Sequence, residues 1–205
     1  MASFKSILVF CALFFSVDAL AADAIGAVDR ARGDTRISHG GEERALEMRG
    51  TVKWLDTLLT GKDSRLSVAF IDGSALTLGD HSELTVDEMV YEPGTKGDMA
   101  LRLTQGVFRM VSGQVNKVPD GRLTLFTPVA TIGVRGTDFW GQQTSEKLLM
   151  ALLDEGEITI DVDGGTVTLT EPGSAAVIER GRAPGSPFSL SPEQLAAAVE
   201  TVSWD

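Results

Sequence analysis

The feature that most constrains the fold of this chain is a repeated alternation of short apolar runs and glycine turns, clearest from Arg65 onward. In residues 65–71 the large apolar side chains mostly occupy alternate positions, which is the period of a β-strand with one buried face. Asp72 and Gly73 follow, a pair typical of tight hairpins because both turn positions tolerate positive φ. Residues 75–78 supply a partner strand, so this stretch predicts a β-hairpin.

The same theme recurs along the chain, with further turns predicted at Gly106, residues 120–121, residues 155–156 and residues 163–165. Strands spaced about 8–12 residues apart, with turns between them, are typical of all-β folds. The sequence therefore predicts an all-β domain, a twisted β-roll or solenoid-like sandwich of antiparallel hairpins whose units bury each other's faces.

Three stretches depart from this pattern. Residues 48–61 have no clear period and predict an irregular or partly helical connection. Residues 148–153 are apolar throughout, which suits either a strand covered on both faces or a buried helical turn. Residues 183–187 hold two prolines and a glycine and predict a linker. Ser191 and Pro192 then favour the start of a short C-terminal helix, which either lies on the sheet or docks a partner.

The first residues have the pattern of a secretory signal peptide. Lys5 is followed by an apolar run over residues 7–17, and Ala19-Leu20-Ala21 offers the small-x-small pattern of a cleavage site. The apolar run is roughly 11 residues long, against the ~20 that a helix needs to cross a bilayer. We therefore predict cleavage before Ala22, export to the periplasm and no membrane insertion afterwards. Residues 22–182 would form the β-domain, and residues 183–205 the linker and helix.

The cysteine content and the net charge argue against several classes of function. The single cysteine, Cys11, lies within the predicted signal peptide, so the mature chain is expected to contain no disulfide and no reactive thiol. The net charge is −11, and removing Lys5 and Asp18 with the signal leaves it unchanged. Such a surface repels phosphate backbones and anionic lipid, which argues against nucleic acid and membrane surfaces as partners.

Residues 126–139 read FTPVATIGVRGTDF, and the chain here resembles the FecR domain family. The resemblance extends over residues 25–182, because an upstream Asp-Gly-Ser element and a downstream Glu-Gly strand start follow in the family's order. The matching motif residues are Asp72, Gly73, Ser74, Thr127, Pro128, Ala130, Val134, Arg135, Gly136, Thr137, Asp138 and Phe139.

This resemblance implies a FecR-type periplasmic sensor domain. The best-known members of the family are membrane-spanning regulators that respond to an outer-membrane iron transporter and control a sigma factor. We expect this sequence to depart from that plan, with no sigma-binding region before the signal and no internal membrane helix after it. The expectation is a stand-alone exported β-domain without cofactor, metal or catalytic step, which recognises an envelope protein in signalling.

The motif alone does not show what Arg135 does. Gly133 and Gly136 bracket it and permit a bulge or sharp bend. An arginine between apolar strand residues is expected to act as an internal fastener, with Glu155, Glu157 or Asp138 as its acceptor. The alternative is direct contact with a ligand. The other motif residues are interpreted as structural.

Candidate chemistry is sparse. His39 and His81 lie in polar, glycine-rich turns without a zinc-ligand spacing. The acidic residues from Asp161 begin like a calcium loop, but the twelfth position of that loop is proline instead of glutamate. Glu155 and Glu157 share a strand face, as any acidic β-protein provides by chance. We predict no metal and no catalytic residue, with a hydrolase as the weaker alternative.

The three tryptophans suggest a second function class. Trp54, Trp140 and Trp204 would suit an aromatic platform, and a carbohydrate- or peptidoglycan-binding β-domain is the alternative that they motivate. Because Trp140 directly follows Phe139, one of the two should face outward from a strand. Trp140 is thus the best candidate for an exposed contact, although a tryptophan that covers the rim of the core is the commoner case.

Overall fold

A computed structural model describes residues 24–204, so the predicted signal peptide and Cys11 lie outside the described residues. The described chain is built from short β-strands, with one α-helix near its C-terminal end and a 3-10 turn at Val115–Lys117. The strands are β1 (Ala24–Arg32), β2 (Thr35–His39), β3 (Glu42–Ala45), β4 (Thr51–Lys53), β5 (Thr57–Thr60), β6 (Arg65–Phe70), β7 (Ala75–Leu78), β8 (Glu83–Glu92), β9 (Lys96–Val111), β10 (Arg122–Phe126), β11 (Thr131–Arg135), β12 (Asp138–Gln143), β13 (Lys147–Leu152), β14 (Glu157–Val162), β15 (Gly165–Leu169), β16 (Ser174–Glu179) and β17 (Phe188–Ser189), and the helix is α1 (Pro192–Glu200).

The strands pair into two sheets that share strand β9. Sheet I has the order β4-β1-β6-β7-β9-β12-β13-β16-β17. Sheet II has the order β3-β2-β5-β8-β9-β10-β11-β14-β15. The pairs are antiparallel except β9 with β10, which is parallel. Leu66 and Phe108 of sheet I join Leu58 and Ile132 of sheet II in one buried apolar core. The all-β class predicted from the hairpin pattern is confirmed.

Strand β9 passes from one sheet to the other at Gly106. Its first part pairs with β8 and β10 in sheet II, and its last part, from Gly106 onward, pairs with β7 and β12 in sheet I. Gly106 has a φ of +105°, and a Cβ at this position would overlap Ser82. The prediction of a hairpin turn at Gly106 is therefore wrong, because its glycine serves a bend inside the longest strand.

Two of the predicted hairpins are confirmed. Asp72 and Gly73 join β6 to β7, and residues 163–164 join β14 to β15. The turn at residues 155–156 instead carries the chain from β13 in sheet I to β14 in sheet II. Residues 48–61 contain β4 and β5, so the partly helical alternative for that stretch is wrong.

Helix α1 covers the outer face of sheet I. The Ser191 side chain accepts a hydrogen bond from the Gln194 amide and begins the helix, as predicted. Ala198 and Val202, at the end of α1 and just after it, pack on apolar side chains of β9, β12, β13 and β16. Strand β13 is thus covered on both faces, which explains why residues 148–153 are apolar throughout. Among residues 24–204, no helix is long and apolar enough to cross a membrane.

Candidate functional site

The Asp-Gly-Ser element of the motif is a buried bracket between two parts of the chain. The Asp72 carboxylate accepts hydrogen bonds from the Ser74 amide (3.0 Å), the Ser74 hydroxyl (2.7 Å) and the Val115 amide (3.0 Å). The Ser74 hydroxyl oxygen in turn accepts from the Gly113 amide at 2.8 Å. Gly73 has a φ of +81°, which closes the turn. These residues fix the β6–β7 hairpin to the segment that follows β9.

The Thr-Pro pair makes the turn between β10 and β11. The Thr127 hydroxyl oxygen accepts from the Ala130 amide at 3.0 Å, and the Thr127 amide donates to the Ala130 carbonyl at 2.9 Å. Pro128 lies between them, where the ladder requires no N–H donor. This part of the motif therefore sets the register of a hairpin.

The Gly-Thr-Asp-Phe part of the motif carries the chain from sheet II into sheet I. Gly136 has a φ of +53°, and the Thr137 amide donates to the Ser112 hydroxyl at 2.8 Å. Asp138 accepts two hydrogen bonds from the Arg109 guanidinium, at 2.9 and 2.6 Å. This hydrogen-bonded pair raises the pKa of Arg109 above its usual value, although partial burial opposes the shift. Phe139 is fully buried in the core.

Arg135 is exposed, so the expectation of an internal fastener is wrong. Its side chain is 84% exposed, and although it lies opposite Glu157, one of the expected acceptors, the two groups are 3.8 Å apart. Ion pairs in solvent contribute only about 0–1 kcal/mol. The physical reason is the alternation of β11: Val134 points into the core, which directs Arg135 outward. Asp138, which was also expected to accept from Arg135, accepts from Arg109 instead.

Arg135 lines a groove of about 820 Å³ on the outer face of sheet II. Lys96 and Arg122 supply its other basic groups, while Gly133 and Thr159 add small, uncharged surface. A Cβ at Gly133 would meet nothing within 4 Å, so the groove stays open above this residue. Gly133 therefore leaves room for a ligand next to the guanidinium of Arg135.

The groove is more basic than the rest of the molecule. Its lining carries Lys96, Arg122 and Arg135 against Asp98 and Asp120, whereas the whole chain has a net charge of −11. Arg122 is paired with Asp98 at 3.2 Å, which leaves Arg135 as the more available guanidinium. A guanidinium fork binds carboxylates with two parallel hydrogen bonds. The groove is therefore suited to an acidic group of a partner.

The tryptophans are not placed as expected. Trp140 is only 2% exposed and lies beneath the C-terminal segment, where its indole N–H donates to the Thr201 hydroxyl at 3.0 Å. The prediction of an exposed contact at Trp140 is wrong, because α1 covers the outer face of β12. The exposed tryptophan is Trp54, at 58%, in the turn after β4. Trp204 lies close to the guanidinium groups of Arg30 and Arg32.

The sequence contains only a weak indication that Trp54 is exposed. It lies in residues 48–61, where no apolar period assigns a face to any side chain. Its neighbour Leu55 is also exposed and has a φ of +62°, which is rare for a bulky residue. The Trp54 indole N–H donates to the Asp87 carbonyl at 2.7 Å, so the ring is held in place on the surface.

The histidines lie in separate surroundings. Nδ1 of His39 is 2.7 Å from the Asp56 carboxylate, whose other oxygen accepts from the Lys53 amide. His81 lies in the turn after β7, with a φ of +48°. Within residues 24–204, no group of three or more His, Cys, Asp or Glu side chains is arranged to hold a metal ion.

Two crystal structures of a candidate anti-sigma factor from Parabacteroides distasonis ATCC 8503 are similar to this fold. Each has a TM-score of 0.55 and 13% sequence identity over 70% of this chain. The chain spans 63% of the first of these proteins and 64% of the second, so the likeness concerns the fold of a part of them. No curated protein matches the sequence.

The family comparison agrees with the geometry of the motif. The family model described as FecR protein matches residues 56–159, which run from just before β5 into β14. The matched stretch contains the Asp72 bracket, the sheet-switching strand β9 and the whole of the Arg-Gly-Thr-Asp-Phe crossing. The chain belongs to the FecR family.

Proposed function

We propose that this protein is a non-catalytic regulatory module, exported to the periplasm, which recognises another envelope protein through the groove at Arg135. Membership of the FecR family, and the fold shared with a candidate anti-sigma factor, support a role in signalling or regulation. Export rests on the signal-like pattern of residues 1–21, and the mature chain would begin at Ala22.

The observation that carries the proposal is the contrast between Arg135 and the rest of its motif. Thr137 and Asp138 are hydrogen-bonded across strands, and Phe139 is buried. Arg135 is solvent-exposed and has only a loose ion pair with Glu157. A side chain that contributes little to folding, and that lines a groove, is free to contact a partner. An acidic loop or strand of that partner fits the guanidinium.

The test compares partner capture by variants of the purified protein in periplasmic extracts from several growth conditions. We expect Arg135→Ala to unfold in urea at the wild-type midpoint and to lose the captured partner. Arg44→Ala, an exposed arginine on edge strand β3 of the same sheet, is the matched control and should retain it. Equal capture by wild type and Arg135→Ala would refute the role of the groove, and no reproducible partner would refute protein recognition.

One observation favours a second candidate function, the binding of a glycan at Trp54. The exposed indole is held in place by its hydrogen bond to the Asp87 carbonyl, as a stacking platform requires. Titration with cell-wall fragments should then change tryptophan fluorescence in the wild type but not in Trp54→Phe or Trp54→Ala. An unchanged spectrum of the wild type would exclude this candidate.

A further inference from the structure

Among residues 24–204, four strands lie at the outer edges of the two sheets, and three of them are protected. Strand β3 reads EERA and carries three charges in four residues. Strand β4 has three residues, and β17 has two. Charge and shortness are the usual means by which proteins prevent another chain from pairing with an open edge.

Strand β15 is the exception. It reads GTVTL over Gly165–Leu169, without a charged residue or a proline. Threonine and valine favour extended backbone, and Val167 and Leu169 anchor the strand in the core. The edge is therefore fully formed before any partner arrives, and nothing in its sequence discourages pairing.

The free hydrogen-bonding groups of β15 follow from its hairpin. Residues 163–164 form a two-residue loop, so Val162 and Gly165 make the closing hydrogen-bonded pair. Since hydrogen-bonded and non-bonded pairs alternate, the amides and carbonyls of Thr166 and Thr168 point away from β14. Within residues 24–204, these four groups have no other backbone partner.

Two exposed carboxylates, those of Asp161 and Asp163, lie beside this edge. The basic residues that line a pocket together with Asp163 are already paired, Arg182 with Glu179 and Arg180 with Glu146. Asp161 and Asp163 flank the start of β15, are exposed, and form no ion pair within the described part of the chain. From the described residues, the Asp161 carboxylate accepts only the hydrogen bond of the Thr166 hydroxyl, at 2.6 Å. A second copy of this chain would bring the same carboxylates together, which disfavours self-pairing.

We propose that the free edge of β15 binds an extended, basic segment of a partner protein as an added strand. The partner's backbone pairs with Thr166 and Thr168, and its lysines or arginines face Asp161 and Asp163. This is recognition by strand addition, in which backbone hydrogen bonds supply affinity and alternate side chains supply specificity. This edge adjoins the Arg135 groove, because Thr168 pairs with Thr159 of the groove lining, but its binding groups are the backbone amides and carbonyls of β15, and the inference does not depend on the groove.

The probe is a labelled synthetic octapeptide of alternating valine and lysine, with a valine–glutamate octapeptide as the charge control. We expect the lysine peptide to bind the purified protein in fluorescence anisotropy, and to protect the Thr166 and Thr168 amides from hydrogen exchange. Thr168→Pro removes one outward amide and leaves the ladder to β14 intact. Binding should weaken about tenfold or more in this variant, and Thr168→Val should bind like wild type.

A second variant keeps the test valid if Thr168→Pro fails to fold. The double variant Thr166→Lys with Thr168→Lys preserves the backbone, repels the basic peptide and should abolish binding. Equal binding in these variants and wild type would show that the peptide is held by charge attraction to the surface without strand pairing, and would overturn the proposal. Equal binding of the glutamate peptide, or a concentration-dependent dimer that Thr168→Pro abolishes, would overturn it too. Arg135→Ala should bind the lysine peptide normally, which separates this result from the function proposed for the groove.

Discussion

Replacing Asp72 with alanine tests whether the Asp-Gly-Ser element stabilises the fold as a buried bracket. The side chain is 2% exposed, and its carboxylate accepts hydrogen bonds from two backbone amides and one hydroxyl. In Asp72→Ala the amides of Ser74 and Val115 lose their acceptor in the protein interior. The Gly113 amide keeps its acceptor, because the Ser74 hydroxyl remains.

The magnitude follows from these contacts. A buried donor without an acceptor costs about 1–3 kcal/mol, so two of them cost roughly 2–6 kcal/mol. Removing a buried carboxylate also removes its desolvation cost, which offsets part of the loss, and we expect about 3 kcal/mol in total. In a domain of this size ~1 kcal/mol lowers the Tm by roughly 2–4 °C, so the Tm should fall by about 6–12 °C.

Urea unfolding followed by circular dichroism measures this loss, with equal m-values as the check that both proteins unfold alike. The matched control is Asp163→Ala, because Asp163 also precedes a glycine in a hairpin turn but is exposed. We expect that control to stay within about 0.5 kcal/mol of wild type. If Asp72→Ala and Asp163→Ala lose similar free energy, the interpretation of the element as a buried bracket is refuted.

Three further substitutions test other parts of the structure. Trp140→Ala should lower the free energy of unfolding by about 3–5 kcal/mol in urea, because a large side chain leaves a cavity beneath the C-terminal segment. Gly106→Ala should lower the Tm strongly in thermal unfolding, since its φ of +105° and the adjacent Ser82 leave no room for a Cβ. Arg65→Met should reduce the loss of stability between neutral pH and about pH 2. Burial raises the pKa of Asp80, but the hydrogen bond and charge of Arg65 outweigh this effect and hold the pKa below its usual value of 3.8. The Arg65–Asp80 pair therefore stabilises the fold above that value, and its contribution is lost as the pH falls through the folded-state pKa.

Each of these predictions has its own control. Trp54→Ala replaces an exposed tryptophan and should be nearly neutral, so an equal effect of the two tryptophan variants would contradict the burial of Trp140. Gly133→Ala should also be nearly neutral, because open space surrounds that position. Asp80→Asn should flatten the acid response as Arg65→Met does, and an unchanged response in both would contradict the linkage.

Much of the fold could be predicted because its signals are local. Alternating apolar residues and Asp-Gly pairs identified the β6–β7 and β14–β15 hairpins, since turn chemistry acts over two residues. The order of the FecR motifs identified the family. The structural roles of Gly106 and of residues 155–156 could not be determined from the sequence. A glycine permits a positive φ equally in a hairpin, in a bend within a strand and in a crossing between sheets.

The candidate site likewise combines features that local sequence patterns predict with features that they do not. The alternation of β11 places Val134 and Arg135 on opposite faces, and a local pattern is sufficient for that. The sequence by itself determined that the chain is acidic, all-β and of the FecR type, with Arg135 at the centre of its motif. Only the tertiary structure decided what covers each face: the C-terminal segment covers Trp140, which donates to Thr201, 61 residues further along the chain, while nothing in the described chain covers Arg135. Period-two patterning assigns side chains to two faces of a sheet, and only long-range packing decides which face meets solvent.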